Sequence, residues 1–263
     1  MILEIFSFAV IGVLAGVLSG LLGISGGVVT IPCLLLVFGL TKIPSSAIMH
    51  LAIGTSLAAM VFNTLSASYA HYKKEAVLFY IVKPMAIGIV MGAMIGVTIA
   101  QNLSSHFLQL LFGGFELLLG IRYFLPEKKY KTERTLPPFW GLSAISLGVS
   151  TISTMLGIGG GIINVPILTH FHVSIKQAIG TSAVLSFLTS VFGGAFFLFG
   201  GLHKSPTDEA IGYLYLPAFI IIGIISFFSA PYGVKLAHRL PIKILRRIFG
   251  IALFITGGIM LFS

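Results

Sequence analysis

The chain has 263 residues, of which 57% are hydrophobic and only 9% are charged. Soluble domains contain about 45–50% apolar and about 25% charged residues. This composition excludes a soluble enzyme and a nucleic-acid-binding module, in spite of a formal charge of +9. A membrane-spanning helix needs about 20 apolar residues, and the chain contains many such stretches, so we predict an all-α polytopic membrane protein. The single cysteine, Cys33, excludes an intrachain disulfide and a cysteine-based metal cluster, and we expect no metal and no cofactor.

Polar residues divide the chain into apolar segments, in the order 3–38, 45–70, 76–100, 105–125, 138–171, 175–201, 211–237 and 242–262. Their length, and the absence of the polar–apolar alternation over about 10 residues that membrane barrels show, predict helices rather than strands. The run PEKKYKTER at residues 126–134 carries more charges than any other loop. We interpret residues 126–137 as a basic cytoplasmic linker between a first transmembrane repeat, 1–125, and a second, 138–263.

Three sequence blocks occur in both halves and in the same order. The segment LSGLLGISGGVVTIP at residues 18–32 returns as ISTMLGIGGGIINVP at residues 152–166, and AIGTS at 52–56 returns unchanged at 178–182. A third block of small residues, beginning at Gly96, returns at an offset of 137. Chance similarity between apolar segments would produce one such block but not three. The sequence therefore predicts an internal duplication.

The first segment of each half is too long for one membrane crossing. It is interrupted by a glycine cluster, Gly23–Gly27 in the first half and Gly157–Gly161 in the second. Each such glycine destabilises a continuous helix by about 1 kcal/mol, and a proline, Pro32 or Pro166, follows shortly after. We predict that each segment is a broken-helix hairpin, which enters and leaves the membrane on the same side. Three single transmembrane helices then follow in each half.

The distribution of Lys and Arg distinguishes this hairpin topology from one in which every segment crosses once. In the latter topology, the 16 basic residues divide nine against seven. With two hairpins they divide fourteen against two, and only Lys42 and Lys204 lie on the other face. Since cytoplasmic loops carry the excess of Lys and Arg, the hairpin topology is favoured. An odd number of crossings per half makes the two structural repeats inverted, with the linker in the cytoplasm and both termini outside.

Transporters with inverted repeats bind their substrates where discontinuous helices meet near the membrane midplane. The arms that begin near Gly26 and Gly160 would point their helix N-termini, each worth about half a positive charge, into the protein. Bare glycine N–H groups form a nest for an anion, and nearby hydroxyl and amide groups add donors. The predicted substrate-binding residues are Ser25, Gly26, Gly27, Thr55, Ser56, Gly159, Gly160, Gly161, Asn164, Thr181 and Ser182.

Each of these residues also has a purely structural interpretation. Glycines in membrane helices serve close helix packing, and Ser and Thr hydroxyls bond back to a carbonyl of their own helix. The recurrence of a glycine break together with Gly-Thr-Ser in both halves favours the binding site.

One carboxylate lies in the middle of an apolar segment. Glu116 has no acidic counterpart in the second half, where the matching position is Leu253. An intramembrane carboxylate is a functional candidate by default, so Glu116 is our candidate for proton coupling. The alternative is a local ion pair with Lys83 or Arg122.

At these motifs the sequence resembles the TauE/SafE family of sulfite and organosulfonate exporters. The resemblance rests on the duplicated Leu-Gly-Ile-x-Gly-Gly with proline five residues on, the duplicated Gly-Thr-Ser and the third block, and it covers nearly the whole chain. It implies a multi-pass permease of the bacterial or archaeal inner membrane that moves small, usually sulfur-containing anions, typically outward. Ser25 departs from the pattern, because the second half has Gly159 there and the family often has glycine. A positive φ at that position would be less comfortable for serine.

Two other functions stay open at this point. A channel would line its pore with the same nests, although broken inverted repeats favour a transporter. Residues 23–26 also match the Gly-x-Ser-Gly pattern of rhomboid-type intramembrane serine proteases, with Ser25 as nucleophile and His50 as the candidate base. The second half has glycine in place of that nucleophile, which argues against a protease.

The expected function is therefore a non-enzymatic secondary transporter, an exporter of a small anion such as sulfite. Its partners would be the anionic substrate, a coupling proton and the lipid bilayer, and not nucleic acid. Sequence alone gives neither the particular anion, nor the coupling ion, nor the direction of transport, nor the oligomeric state.

Overall fold

The computed structural model describes residues 2–23, 26–41, 43–124, 135–204, 206–237 and 242–262. Within these ranges the chain forms ten α-helices: α1 Ile2–Leu22, α2 Gly27–Phe38, α3 Ser45–Tyr72, α4 Phe79–Asn102, α5 Ser105–Phe124, α6 Phe139–Leu156, α7 Gly161–His170, α8 Ile175–Gly200, α9 Leu216–Ala237 and α10 Ile242–Phe262. A short antiparallel hairpin precedes α9, in which β1 Ala210–Ile211 pairs with β2 Leu214–Tyr215. Ser25, Lys42 and most of the predicted linker lie outside the described residues.

This architecture confirms the expected all-α polytopic membrane fold. Six of the described helices are long and apolar enough to cross a membrane, namely α1, α3, α4, α6, α8 and α9. Both predicted interruptions are present, as break 1 (residues 23–26, between α1 and α2) and break 2 (residues 157–160, between α6 and α7). Gly26 and Gly160, which precede α2 and α7, have φ values of 77° and 81°. This left-handed conformation is readily available only to glycine.

The first broken segment returns to the end of the molecule at which it begins. The rings of Phe8 in α1 and Phe38 at the end of α2 both contact the ring of Tyr215, with centroids 6.2 and 5.1 Å apart. Break 1 lies elsewhere, because a Cβ placed on Gly23 would be 2.6 Å from the carbonyl oxygen of Ile179, near the start of α8. The chain therefore turns back on itself at break 1.

The second broken segment returns in the same way at the other end of α3. Leu142 at the start of α6 and Leu168 near the end of α7 belong to one hydrophobic cluster with Ile81, which lies in the first turn of α4. The start of α4 follows the end of α3, whereas Tyr215 is hydrogen bonded to Thr55 in the first half of α3. Because α3 has 28 residues and is about 42 Å long, these two sets of contacts lie well apart along it.

Helices from the two halves interlock. α1 packs along α9, α4 along α6, α5 along α10 and α3 along α8, so each of these contacts joins the first half to the second. Each helix has a counterpart in the other half, for example α6 for α1 and α9 for α4. Replacing both members of a pair by their counterparts gives another pair of the same set, so that α1 with α9 becomes α6 with α4.

Glycine allows two of these contacts to be close. A Cβ on Gly16 of α1 would lie 1.9 Å from Ser229 Oγ of α9, and one on Gly92 of α4 would lie 2.4 Å from the carbonyl oxygen of Leu147 in α6. Small residues let membrane helices approach until their backbones are in van der Waals contact. For these glycines, away from the breaks, the structural interpretation is sufficient.

Candidate functional site

The two breaks contact each other in the interior of the bundle. Gly27 lies so close to break 2 that a Cβ on it would be 2.3 Å from Gly157 O and 3.0 Å from Ile158 Cα. The same Cβ would be 3.0 Å from the sulfur of Met60, which lies near the middle of α3. Discontinuous helices that meet at this depth form the substrate sites of many transporters.

Helices α2 and α7 both begin at this meeting point. The first backbone hydrogen bonds within α2 are accepted by Gly26 O, and those within α7 by Gly160 O. Neither helix has a side-chain N-cap. The N–H groups ahead of these bonds have no acceptor within their own helix, and they belong to Gly27, Val28, Gly161 and Ile162. The site therefore combines unbonded backbone donors with the positive ends of two helix dipoles.

The serine of each Gly-Thr-Ser motif contacts break 2. Ser56 Oγ donates to the carbonyl oxygen of Gly157 at 3.4 Å, and Ser182 Oγ donates to that of Gly161 at 3.2 Å. Both serines are fully buried. These two bonds attach α3 and α8 to the two ends of the break, so both predicted serines lie at the site.

The threonine of each motif holds a loop in place. Thr55 Oγ1 accepts a hydrogen bond of 2.9 Å from the N–H of Tyr215, and Thr181 Oγ1 accepts one of 3.0 Å from the N–H of Leu78. The glycine before each threonine makes room for that loop, since a Cβ there would lie 2.2 or 2.4 Å from a loop carbonyl oxygen. Thr55 and Thr181, which we expected as donors to the anion, thus each accept a hydrogen bond from a loop, and each hydroxyl keeps its own hydrogen to donate.

Within the part of the chain that the structure describes, several buried polar side chains lack a hydrogen-bond partner, and four of them lie on α6, α7 and α8. They are Ser153, Asn164 (through Oδ1), Ser186 and Ser190, and each is at most 2% exposed. A Cβ on Gly160 would lie 3.2 Å from Ser153 Oγ and 3.4 Å from Asn164 Nδ2. Ser153 and Asn164 therefore flank the N-terminus of α7.

Two of these groups follow Ser182 along one face of α8. Ser186 and Ser190 come one and two helical turns after it, and residues so spaced share a face. An unpartnered buried hydroxyl costs about 1–3 kcal/mol, and such a group calls for an explanation such as a missing ligand or water. Among the four, only Asn164 was predicted from sequence. For Ser186 and Ser190, the available sequence signal was their helical spacing from Ser182. For Ser153, it was the match to Ser19 in the repeated block.

Glu116 lies beside the site and not within it. It is fully buried, and a Cβ on Gly257 of α10 would be 3.1 Å from its Cβ. Its polar neighbours in the described part of the chain are Thr256 of α10 and Cys33 of α2. The expected alternative, an ion pair with Lys83 or Arg122, is absent from these interactions. The charge of Glu116 also acts on Cys33, which belongs to α2, the helix that begins at break 1.

His50 is engaged at one end of α3. Its ring stacks on Tyr213, with centroids 5.2 Å apart and an interplanar angle of 28°, and its Nε2 lies 3.1 Å from Ala100 O. These contacts hold the imidazole between the end of α4 and the loop before α9. The structure therefore gives no support to His50 as the base of a serine protease.

Broken helices that meet in the interior, surrounded by polar groups, define the class of polytopic membrane transporters built on discontinuous helices. The chain belongs to the family described as "Sulfite exporter TauE/SafE", whose model matches residues 8–260. The resemblance seen in the motifs is thereby confirmed.

Two similar proteins are named as membrane transporters. The chain is 32% identical over 250 residues to a "Probable membrane transporter protein" of Haemophilus influenzae, with 94% of each chain covered. A protein of the same description from Methanocaldococcus jannaschii is 30% identical over 267 residues, with 96% of this chain and 93% of the relative covered. No solved structure matches the chain. The family and its members are described as transporters and not as enzymes.

Proposed function

We propose that the protein is a secondary transporter of the inner membrane that exports a small oxyanion, sulfite or a related organosulfur anion. The substrate would bind where the two helix breaks meet. The contact between Gly27 and Gly157, where a Cβ would lie 2.3 Å from the carbonyl oxygen, carries this proposal. It brings the N-terminus of α2 against break 2 and so joins the duplicated motifs into a single site.

The groups around the breaks suit an oxyanion. In the described part of the chain no lysine or arginine is buried, so the positive potential comes from helix N-termini and hydrogen-bond donors. Binding of sulfate or phosphate by such N-termini is common. The proposed ligand-binding residues are Gly26, Gly27, Ser56, Gly159, Gly160, Gly161, Asn164 and Ser182, with Ser153 and Ser186 added from the structure and Ser25 retained from the sequence.

Inverted repeats with both termini outside form part of the proposal. Lys74, Lys176 and Lys235 support it, because the pKa of Lys74 is lowered first by partial burial and then by the charges of Lys235 and Lys176. The three lysines lie at one end of the bundle, because Gly180 is in close contact with Ala76, and Gly20 with His71 and Val234. If every apolar segment crossed once, Lys176 and Lys235 would lie opposite Lys74. By the distribution of basic residues, this end is the cytoplasmic one.

Glu116 is the proposed site of proton coupling. Its burial against α10, and its proximity to Cys33 of α2, support this role. A change in the charge of Glu116 would act on the helix that begins at the anion site. An intramembrane carboxylate in such a place is characteristic of proton relays in transporters.

An anion channel is the alternative function, since the same nests would also line a pore. Saturable flux that responds to a proton gradient distinguishes a transporter from a channel, which would give single-channel currents. A serine protease with Ser25 as nucleophile lacks a base, because the contacts of His50 hold its ring at one end of α3.

The decisive experiment is a binding and flux measurement on the purified protein. Sulfite, sulfate, thiosulfate, sulfonates and carboxylates are screened by thermal unfolding, and a true ligand at a hundred times its Kd adds about 2.7 kcal/mol of stability. The ligand found in this way is then followed in proteoliposomes, where we expect saturable uptake. If none of these anions stabilises the protein or enters the vesicles, the proposed function is wrong.

A further inference from the structure

Three lysines from different elements converge at one end of the bundle. Lys74 lies in the turn after α3, Lys176 in the first turn of α8 and Lys235 in the last turn of α9, and all three are exposed. A Cβ on Gly180 of α8 would lie 2.4 Å from the carbonyl oxygen of Ala76, two residues after Lys74, and partial burial together with the charges of Lys235 and Lys176 lowers the pKa of Lys74. Gathering like charges is unfavourable unless something of opposite charge is held there.

The turn that carries Lys74 is attached to the end of α1. His71 lies three residues before Lys74, and its Nε2 is 3.3 Å from the carbonyl oxygen of Gly20. An open depression of about 410 Å³ adjoins this turn and is lined by Tyr72, Lys73, Glu75, Val77 and Phe79. Anions from solution can reach Lys74, Lys176 and Lys235 because all three side chains are exposed.

The other two lysines lie beside the same end of α1. A Cβ on Gly20 would be 2.7 Å from the backbone nitrogen of Val234, the residue before Lys235. A Cβ on Gly23 would be 2.6 Å from the carbonyl oxygen of Ile179, within one turn of Lys176 on α8. The lysine cluster, defined as Lys74, Lys176 and Lys235, thus surrounds the point at which α1 ends and break 1 begins.

The opposite end of the bundle carries carboxylates. The hydroxyl of Tyr215 donates a hydrogen bond to Glu209, and burial, Glu209 and Glu4 all raise the pKa of Tyr215. Asp208 is exposed beside Glu209. Between α8 and α9, Lys204 is the one lysine or arginine in the sequence. The two ends therefore differ in the sign of their fixed charge, although the helices are related by an internal duplication.

We propose that the lysine cluster is a capture site for the transported oxyanion at the cytoplasmic mouth, and that the carboxylates at the other mouth disfavour its return. This inference rests on the proposed function. Fixed charges leave the transport equilibrium unchanged, but a mouth lined by one sign of charge concentrates counter-ions and raises their association rate about 10- to 1,000-fold. At low anion concentration, capture is therefore faster from the lysine side.

The test compares two charge-matched double variants in vesicles of zwitterionic lipid, with radiolabelled sulfite presented to the lysine side. Lys176→Gln with Lys235→Gln removes most of the cluster. Lys83→Gln with Arg122→Gln removes the same charge from exposed residues that do not contribute to the pKa shift of Lys74. Labelling of a single introduced cysteine by an impermeant reagent identifies the side that each molecule presents.

We expect the cluster variant to lose about 3- to 10-fold of its initial rate at about 10 mM ionic strength, where charges act over about 30 Å. At about 150 mM, where the screening length is about 8 Å, its rate should approach that of the wild type. The maximal rate, the rate from the carboxylate side and the behaviour of the matched control should not change. An equal loss in both variants, or a loss that salt does not reduce, contradicts the inference.

Anionic lipid headgroups share the chemistry of the substrate and are tested in a second set of vesicles. If the lysines bind lipid instead, the cluster variant will lose activity only in vesicles that contain phosphatidylglycerol, and the inference will be wrong. If the wild type binds sulfite but the cluster variant keeps its full rate at low salt, this inference is wrong and the proposed function still stands. Failure of the wild type to bind or transport any oxyanion removes the proposed function as well.

Discussion

Gly27 of α2 and Gly157 at the end of α6 touch through their backbones, because a Cβ on Gly27 would lie only 2.3 Å from Gly157 O. Real Cβ atoms essentially never come within 3.0 Å of another heavy atom. Glycine at position 27 is therefore required for the two breaks to meet, and this requirement does not depend on the backbone dihedral angles. The contact brings the two duplicated motifs together in the interior of the protein.

Gly27→Ala should abolish sulfite binding, because its methyl group forces the two breaks apart. Inserting one methyl group into a filled interior costs about 1–3 kcal/mol, so the melting temperature should also fall. Gly148→Ala in α6 is the matched control, since nothing lies within 4 Å of its Cβ position. Titration calorimetry and thermal unfolding measure both effects. Wild-type affinity in Gly27→Ala would show that the breaks do not form the site.

Ser153→Ala should weaken substrate binding while leaving the free protein as stable as the wild type, or more stable. The hydroxyl has no partner among the described residues, so its removal relieves an unsatisfied group and deprives the anion of a donor. Loss of about 1–3 kcal/mol of binding corresponds to about 5- to 150-fold weaker affinity.

Ser150→Ala is the control for that variant. Ser150 lies one turn earlier on α6, and its hydroxyl donates to the carbonyl oxygen of Ile89 at 3.0 Å. Its loss should lower stability without changing affinity. If Ser153→Ala instead behaves like Ser150→Ala, Ser153 belongs to the scaffold.

Thr55→Val should destabilise the protein by about 1–3 kcal/mol, because a buried N–H group loses its acceptor. That group is the N–H of Tyr215. Thr181→Val should have an equal effect through Leu78. Thr55→Ser keeps the acceptor and serves as the control. Thermal unfolding without substrate measures the change, and unaltered stability with weakened binding would instead identify these threonines as donors to the anion.

The sequence was sufficient to predict the helix breaks and their meeting. The glycine clusters are visible in the sequence itself, and a helix break at such a cluster requires only local rules. The role of Thr55 was not predictable, because its partner Tyr215 lies 160 residues away in sequence. The repeated block singles out Ser153 through its match to Ser19, but it does not show that the hydroxyl of Ser150 donates to a carbonyl on α4 while that of Ser153 has no partner among the described residues. That difference depends on which neighbouring helix presents a free carbonyl.

Cysteine labelling in intact cells tests the proposed sidedness. In a variant without Cys33, we expect an impermeant maleimide to label Ser104→Cys but not Lys73→Cys until the cells are opened. The turn at residue 73 follows α3 and the turn at residue 104 follows α4, so the two positions lie at opposite ends of the bundle. Labelling of Lys73→Cys, or of a cysteine at residue 130, from outside would rule out the inverted hairpins in this orientation.

Glu116→Gln should abolish transport driven by a proton gradient and leave sulfite binding intact. The amide keeps the shape of the side chain against α10 but cannot carry a proton. Flux in proteoliposomes with and without an imposed pH gradient measures the first effect, and thermal stabilisation by sulfite measures the second. Normal gradient-driven flux in Glu116→Gln would show that the carboxylate has no part in coupling.

The packing of α1 against α9 has a consequence for biosynthesis. Ser229 of α9 donates to the carbonyl oxygen of Gly12 in α1 across 217 residues of sequence. At about 5–20 residues per second, a ribosome needs about 10–40 s to supply this partner. During that time the glycine-lined face of α1 is covered only by lipid or by the insertion machinery. The first helix to be synthesised is thus among the last to acquire all of its packing partners.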